Sequence, residues 1–209
     1  MKVIAINGSP RKNGNTHNAI QMVFAELEKE GIETEEILIG NKAIRSCIAC
    51  GKCREVPGMC HAFKDDGVNA AIEKMKETDG VLLASPVYYS GISGAMKCFC
   101  DRMFYASAGA PEVFHHKVGA ALTAVRRSGG IPALDTLYKY LTYEEMMIAT
   151  ANYWGVIYGM LPGEVQQDIE GKDIMSKLGQ NMAWQLKMRE QGKDMAPPKT
   201  EKPRMNFIR

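Results

Sequence analysis

The chain has 209 residues, 45% of them hydrophobic and 24% charged, with a formal net charge of +2. This length suits one domain with a full core, the composition is that of a globular protein, and the near-neutral charge argues against a dedicated nucleic-acid binder. No run approaches the roughly 20 apolar residues of a membrane span, and the N-terminus enters a strand without a basic-then-apolar leader, so a cytoplasmic location is expected, where six cysteines point to metal or redox chemistry before disulfides.

Val3, Ile4, Ala5 and Ile6 form a short, β-branched apolar run, the pattern of a strand buried on both faces. A loop of Ser9, Pro10, Arg11, Lys12, Asn13, Gly14, Asn15 and Thr16 follows. Ala19, Ile20, Val23, Phe24 and Leu27 then recur at helical spacing until Gly31 stops them. Residues 33–39 (E-T-E-E-I-L-I) predict a second strand. Residues 41–65 hold four of the six cysteines and no clear periodicity. Val68, Ala71, Ile72 and Met75 mark a helix, with Asp65 or Asp66 as its cap. Val81 to Ala84 give a third strand entered from Gly80, Ser85 to Gly91 a loop, and residues 93–105 a helix. Residues 118–125 predict a fourth strand, 132–150 a long helix, 156–158 a short fifth strand, and 171–190 a last helix. The segment after Lys193, with Pro197, Pro198 and Pro203, reads as an irregular tail, so the expected organisation is a domain over 1–193 and a tail over 194–209.

Five strands, each followed by a helix, predict a doubly wound α/β sandwich, and right-handed crossovers favour the flavodoxin-like strand order 2-1-3-4-5. Ligands of such sheets bind beyond the carboxyl ends of the strands, where the order reverses. The loops after strands one, three and four are therefore the candidate site.

The first of these loops leads into a helix N-terminus, whose unpaired N–H groups and dipole favour an anion. Ser9, Asn15 and Thr16 add donors, and Arg11 or Lys12 adds charge. His17, in the first helical turn, is within range of the same anion. No Gly-Lys-Ser/Thr ends the loop, which speaks against a nucleoside triphosphate, and G-x-G-x-x-G is absent, which lowers the case for a dinucleotide. A terminal monophosphate, as in flavin mononucleotide (FMN), fits; an ordinary turn capped by Thr16 is the plainer alternative. After strand three, Pro86, Val87, Tyr88, Tyr89 and Gly91 offer backbone N–H groups and aromatic surface to a planar ring. After strand four, Ser128, Gly129 and Gly130 permit close backbone approach to a ligand; Arg126 and Arg127 beside them could face a flavin edge, a nicotinamide phosphate or solvent, a solvated face being the commoner use of paired arginines.

Three motifs, G-S-P-R-x-x-G-N-T, S-P-V-Y-Y-x6-M-K-x-F-x-D-R and R-R-S-G-G, stand in this order. Over residues 1–190 the chain resembles the NAD(P)H-dependent FMN reductase branch of the flavodoxin-like proteins. The resemblance implies FMN with its phosphate on Ser9, Arg11, Asn15 and Thr16, its ring against residues 86–91 and Ser128–Gly130, NAD(P)H as co-substrate, and a homodimer or homotetramer. It gives Met96-Lys97 and Asp101-Arg102 a structural role on a helix and at a subunit contact.

Cys47, Cys50, Cys53 and Cys60 read C-x2-C-x2-C-x6-C. Soft thiolates suit zinc or an iron–sulfur cluster; zinc sites favour two separated knuckles, and the compact run is nearer the ferredoxin habit. Free thiols are the remaining alternative. The quartet narrows the resemblance to iron–sulfur flavoproteins, which implies a [4Fe–4S] cluster on these four residues. Cys98 and Cys100, two apart on a helix, read as packing residues, and the pair His115–His116 as surface. The reading is a flavoprotein oxidoreductase exchanging electrons with a small molecule or a ferredoxin and touching neither nucleic acid nor membrane. An electron shuttle or redox sensor without turnover is the alternative. No acid–base residue is assigned, because flavin reduction requires none from the protein.

Overall fold

The computed structural model describes residues 1–198, 200 and 205 of the chain. Its sheet is built on β1 (Lys2–Asn7), β2 (Glu33–Leu38), β3 (Gly80–Tyr88) and β5 (Val118–Val125), all parallel, in the order β2-β1-β3-β5. The position outside β5 is shared by two short parallel strands. β6 (Met147–Ile148) pairs with its start and β7 (Val156–Tyr158) with its end. Counting that shared position once, the predicted order 2-1-3-4-5 stands. The seventh strand, β4 (Gly91–Ile92), folds back antiparallel on the end of β3.

Alternation along the strands sorts two cores. Val3 and Ala5 of β1 and Leu82 and Ala84 of β3 face α1 (Asn15–Lys29) and α6 (Ile169–Gln191). Ile4, Ile6, Val81 and Leu83 face the other way, onto α3 (Val68–Lys76), α4 (Gly94–Ser107) and α5 (Gly130–Tyr143). Strands β1 and β5 are apolar because both of their faces are covered. β2 is the sheet edge, and it carries charge instead: Lys2 bridges to Glu33 at 3.2 Å and to Glu35 at 2.9 Å, and Lys74 reaches Glu35 as well.

Three boundaries differ from the sequence reading. The long helix expected over 132–150 ends at Tyr143. Glu145 takes a left-handed conformation, φ 55°, and the N–H groups of Met147 and Ala149 bond Lys117 O and Gly119 O at 2.9 and 2.8 Å. The open edge of β5 thus recruits residues that would otherwise continue the helix. Helix α3 is preceded by Gly67 at φ 90°, with no side-chain cap; of the helix N–H groups Asp66 meets that of Val68, at a long 3.4 Å. The cysteine segment contains one short helix, α2 (Lys52–Glu55). Beyond α6, residues 193–195 make a single 3-10 turn. Pro197 and Pro198 lie in irregular backbone, and Pro203 lies outside the described residues.

Candidate cofactor site and cysteine pocket

The loop after β1 is held by side chains on both sides. Asn7 Oδ1 accepts the Ser9 N–H at 2.8 Å, and Ser9 Oγ accepts the Arg11 N–H at 3.2 Å. Ser93, the N-cap of α4, donates its hydroxyl to Gly8 O at 2.7 Å and accepts the Met96 N–H. Gly40 lies so close that a β-carbon on it would stand 2.2 Å from the Ser9 carbonyl carbon. The loop then enters α1 through Gly14, which has no side chain to cap the helix, and the first turn contains no acid. Thr16 is not the cap; it is the second residue of the helix and is buried. Among the described residues, the N–H groups of Asn15, Thr16 and His17 have no hydrogen-bond acceptor. Among the described residues, no carboxylate lies within ion-pair range of Arg11 or Lys12 at its rim.

Asn15 and His17 each bond a residue outside the loop. Asn15 Oδ1 accepts the Gly163 N–H at 2.8 Å, which ties the loop to the segment following β7. His17 Nδ1 lies 2.7 Å from Glu36 Oε2 on β2, so His17 braces the loop from below instead of turning into it. Glu36 also receives the Asn7 carboxamide N–H at 2.6 Å. The sequence reading gave neither Glu36 nor Gly163 a role, because both lie far along the chain from the loop they support.

The segment after β3 is a hairpin. Val87 pairs with Ile92 and Tyr88 with Gly91, leaving Tyr89 and Ser90 as a two-residue turn. Both have positive φ, 48° and 60°, the requirement of a type I′ turn, which Asn-Gly ordinarily meets. Two non-glycine residues there store strain of the kind that collects at functional sites. Pro86 and Val87 are half-buried and Tyr88 and Tyr89 exposed, so their aromatic surface is available to a ligand or to another chain. Gly129, at φ 88°, meets this hairpin: a β-carbon on it would lie 2.6 Å from Ser90 Cα. Gly129 precedes α5, again with no side-chain cap. Ser128 is exposed and Gly130 buried, and Arg126 and Arg127 are exposed.

The second centre is a pocket lined by Cys47, Cys50, Cys53 and Cys60 together with Phe63, Arg102 and Tyr105. All four thiols are free of disulfides. Burial pushes the Cys53 thiol up, and the neighbouring Cys47, Cys50 and Cys60 add to the rise. Burial works the same way on Cys60, but the hydrogen bond from Arg102, the backbone N–H groups of Phe63 and Ala62 and the Arg102 charge outweigh it and hold that thiol below its usual value. Cys100 is fully buried, which drives its thiol strongly up, and Cys98 is half-buried; both pack on α4 as expected. His115 and His116 are not free surface residues. They are half-buried, with rings stacked 3.7 Å apart at the opposite end of β5. Their ring nitrogens and the Glu145 carboxylate come within 4.8 Å of one another. Facing ring planes, however, do not aim two lone pairs at one ion.

A parallel three-layer α/β sandwich with three loops converging at the carboxyl ends of its strands, an uncapped helix N-terminus among them, is the architecture of the flavodoxin-like proteins. The sequence model of the NADPH-dependent FMN reductase family matches residues 1–159, and the chain belongs to that family. It is an FMN-binding oxidoreductase by that membership. It is 34% identical over 195 residues to an iron–sulfur flavoprotein of Methanocaldococcus jannaschii, a match covering 90% of this chain and 98% of the relative. Among solved structures, RosB with bound 8-demethyl-8-formylriboflavin-5′-phosphate superposes with a TM-score of 0.69 at 17% identity, covering 100% of this chain and 92% of RosB. An archaeal flavodoxin superposes with a TM-score of 0.57 at 15% identity, covering 90% and 99%. Among the described residues no helix is long and apolar enough to cross a membrane.

Proposed function

We propose that the chain is an NAD(P)H-dependent oxidoreductase of the FMN and quinone reductase type whose cysteine loop holds a [4Fe–4S] cluster. The observation that carries this reading is that β1 and β2 deliver, from their carboxyl ends, an uncapped helix N-terminus and a four-thiol pocket. When bound, FMN supplies hydride acceptance at N5 and stepwise electron release, and a cluster supplies single-electron carriage.

The chain's own residues orient and shield. The first-turn N–H groups of α1, with Ser9, Asn15 and Thr16, would hold the phosphate, and Arg11 and Lys12 would balance its charge. The backbone of the 86–91 hairpin and of Ser128–Gly130 would meet the ring, with Tyr88 and Tyr89 excluding water from its face. The C-x2-C-x2-C spacing of the first three thiols is nearer the ferredoxin habit than the two separated knuckles of a zinc site. The exposed Tyr153, Trp154, Tyr158, Met160, Leu161 and Ile169 supply an apolar face for a homodimer or homotetramer.

Anaerobic titration of FMN-loaded protein with NADPH and with NADH tests the turnover. Bleaching of the oxidised flavin band by either is the expected result. If both fail and a reduced ferredoxin succeeds, the protein is an electron shuttle and the nicotinamide reading falls.

A further inference from the structure

We propose that Arg102 is a positioning residue for Cys60, fixing the fourth thiolate and raising the reduction potential of the centre it ligates; this rests on the cluster reading above. Arg102 projects from α4, and its side chain is 1% exposed, the largest fully buried side chain among the described residues. Each arm of the guanidinium is spent on the cysteine loop. Nε donates to Cys60 Sγ at 3.3 Å. Nη1 donates to Arg45 O at 3.3 Å and to Asp66 Oδ2. Nη2 donates to Phe63 O at 2.9 Å and to Asp66 Oδ1 at 3.2 Å. Arg45 precedes the first cysteine by two residues, and Phe63 and Asp66 follow the last. One side chain therefore closes both limbs of the loop, and the Phe63 ring stacks beneath both Arg102 and Arg45, at 5.0 and 4.9 Å.

Packing alone does not account for this choice. A leucine or methionine would fill a buried helical position without the desolvation cost of a charge, which even a well-made ion pair does little more than offset. What arginine adds is a rigid fork of five donors, one of which points at a sulfur bordering the pocket. Hydrogen bonds to cluster sulfurs are among the levers that set the potential. An N–H on sulfur favours the more negative, reduced form, and with the Arg102 charge paired to Asp66 it is this hydrogen bond that raises the potential.

The test compares wild type, Arg102→Gln and Arg102→Lys, each purified anaerobically and reconstituted with ferrous iron, sulfide and FMN. FMN per chain reports the fold, iron and sulfide per chain report the cluster, and a redox titration followed by electron paramagnetic resonance gives its midpoint. The expected result is wild-type FMN content in both variants, a lower cluster midpoint in Arg102→Gln, iron loss to a chelator at least tenfold faster, and intermediate behaviour in Arg102→Lys. Wild-type midpoints and iron retention in the variants would overturn the assignment. If Arg102→Gln does not fold, Arg102→Lys decides by the same midpoint. Wild-type protein that binds FMN but no iron would remove the cluster reading itself, and the assignment with it.

Discussion

Asn7 and Glu36 meet across β1 and β2, the Asn7 carboxamide donating to Glu36 Oε1 at 2.6 Å while its own oxygen accepts the Ser9 N–H at 2.8 Å. The other Glu36 oxygen holds His17 at 2.7 Å. One edge-strand carboxylate thus braces the loop between β1 and α1 at its start and just past its end. Replacing Asn7, which is fully buried, by alanine leaves the Ser9 N–H without its acceptor. The expected cost is about 1–3 kcal/mol of stability and roughly tenfold weaker FMN binding, about 1.4 kcal/mol. Urea denaturation and flavin-fluorescence titration measure the two.

The hairpin turn and Gly129 give two changes of opposite sign. Gly129→Ala forces a β-carbon to 2.6 Å from Ser90 Cα at a residue held at φ 88°. It is expected to cost about 1–2 kcal/mol from the left-handed backbone alone and to weaken FMN binding. Ser90→Gly relieves the φ of 60° and is expected to raise stability by up to about 1 kcal/mol. Denaturation midpoints of the two variants on opposite sides of wild type are the signature; a shift of both in one direction would contradict it.

Lys117 predicts a pH dependence. It is 5% exposed, and its ammonium donates to Met75 O and Lys76 O. Burial lowers it from 10.5 to about 8, with Arg189 pushing the same way and Asp79 and Glu112 opposing. The folded form therefore releases the proton before the unfolded chain does. Between about pH 8 and 10.5 the unfolded chain binds more protons, so stability from this group rises with pH, and below that window the full burden of the buried charge is present. Urea midpoints of wild type and Lys117→Met from pH 7 to 10 test this. The difference is expected to move in favour of wild type as pH rises.

The apolar face near the end of β7 predicts self-association. Trp154 and Tyr158, each about half exposed, are expected to lose that surface on assembly. The double change Trp154→Ser with Tyr158→Ser should lower the sedimenting mass without lowering FMN content.

The sequence made the three candidate loops legible because each is a strand followed by small or polar residues and a helix start, and it made the cysteine pocket legible by spacing alone. What it hid depends on contacts made far along the chain. The β3–β4 hairpin carries Tyr89-Ser90 where turn chemistry would signal Asn-Gly. The end of α5 is set by the open edge of β5, not by a stop signal near Tyr143. Glu36 reads as an ordinary edge-strand acid until Asn7 and His17 are seen beside it. Arg102 sits in a helix whose pattern says only that something large is buried, and its acceptors on the cysteine loop lie 36 to 57 residues away.

The most direct measurement is the content of FMN, iron and sulfide in protein purified and handled without oxygen. About one FMN and about four irons per chain, with the iron lost in Cys60→Ser and the FMN retained, is the expected result. Full FMN occupancy with no iron in the wild type would contradict it.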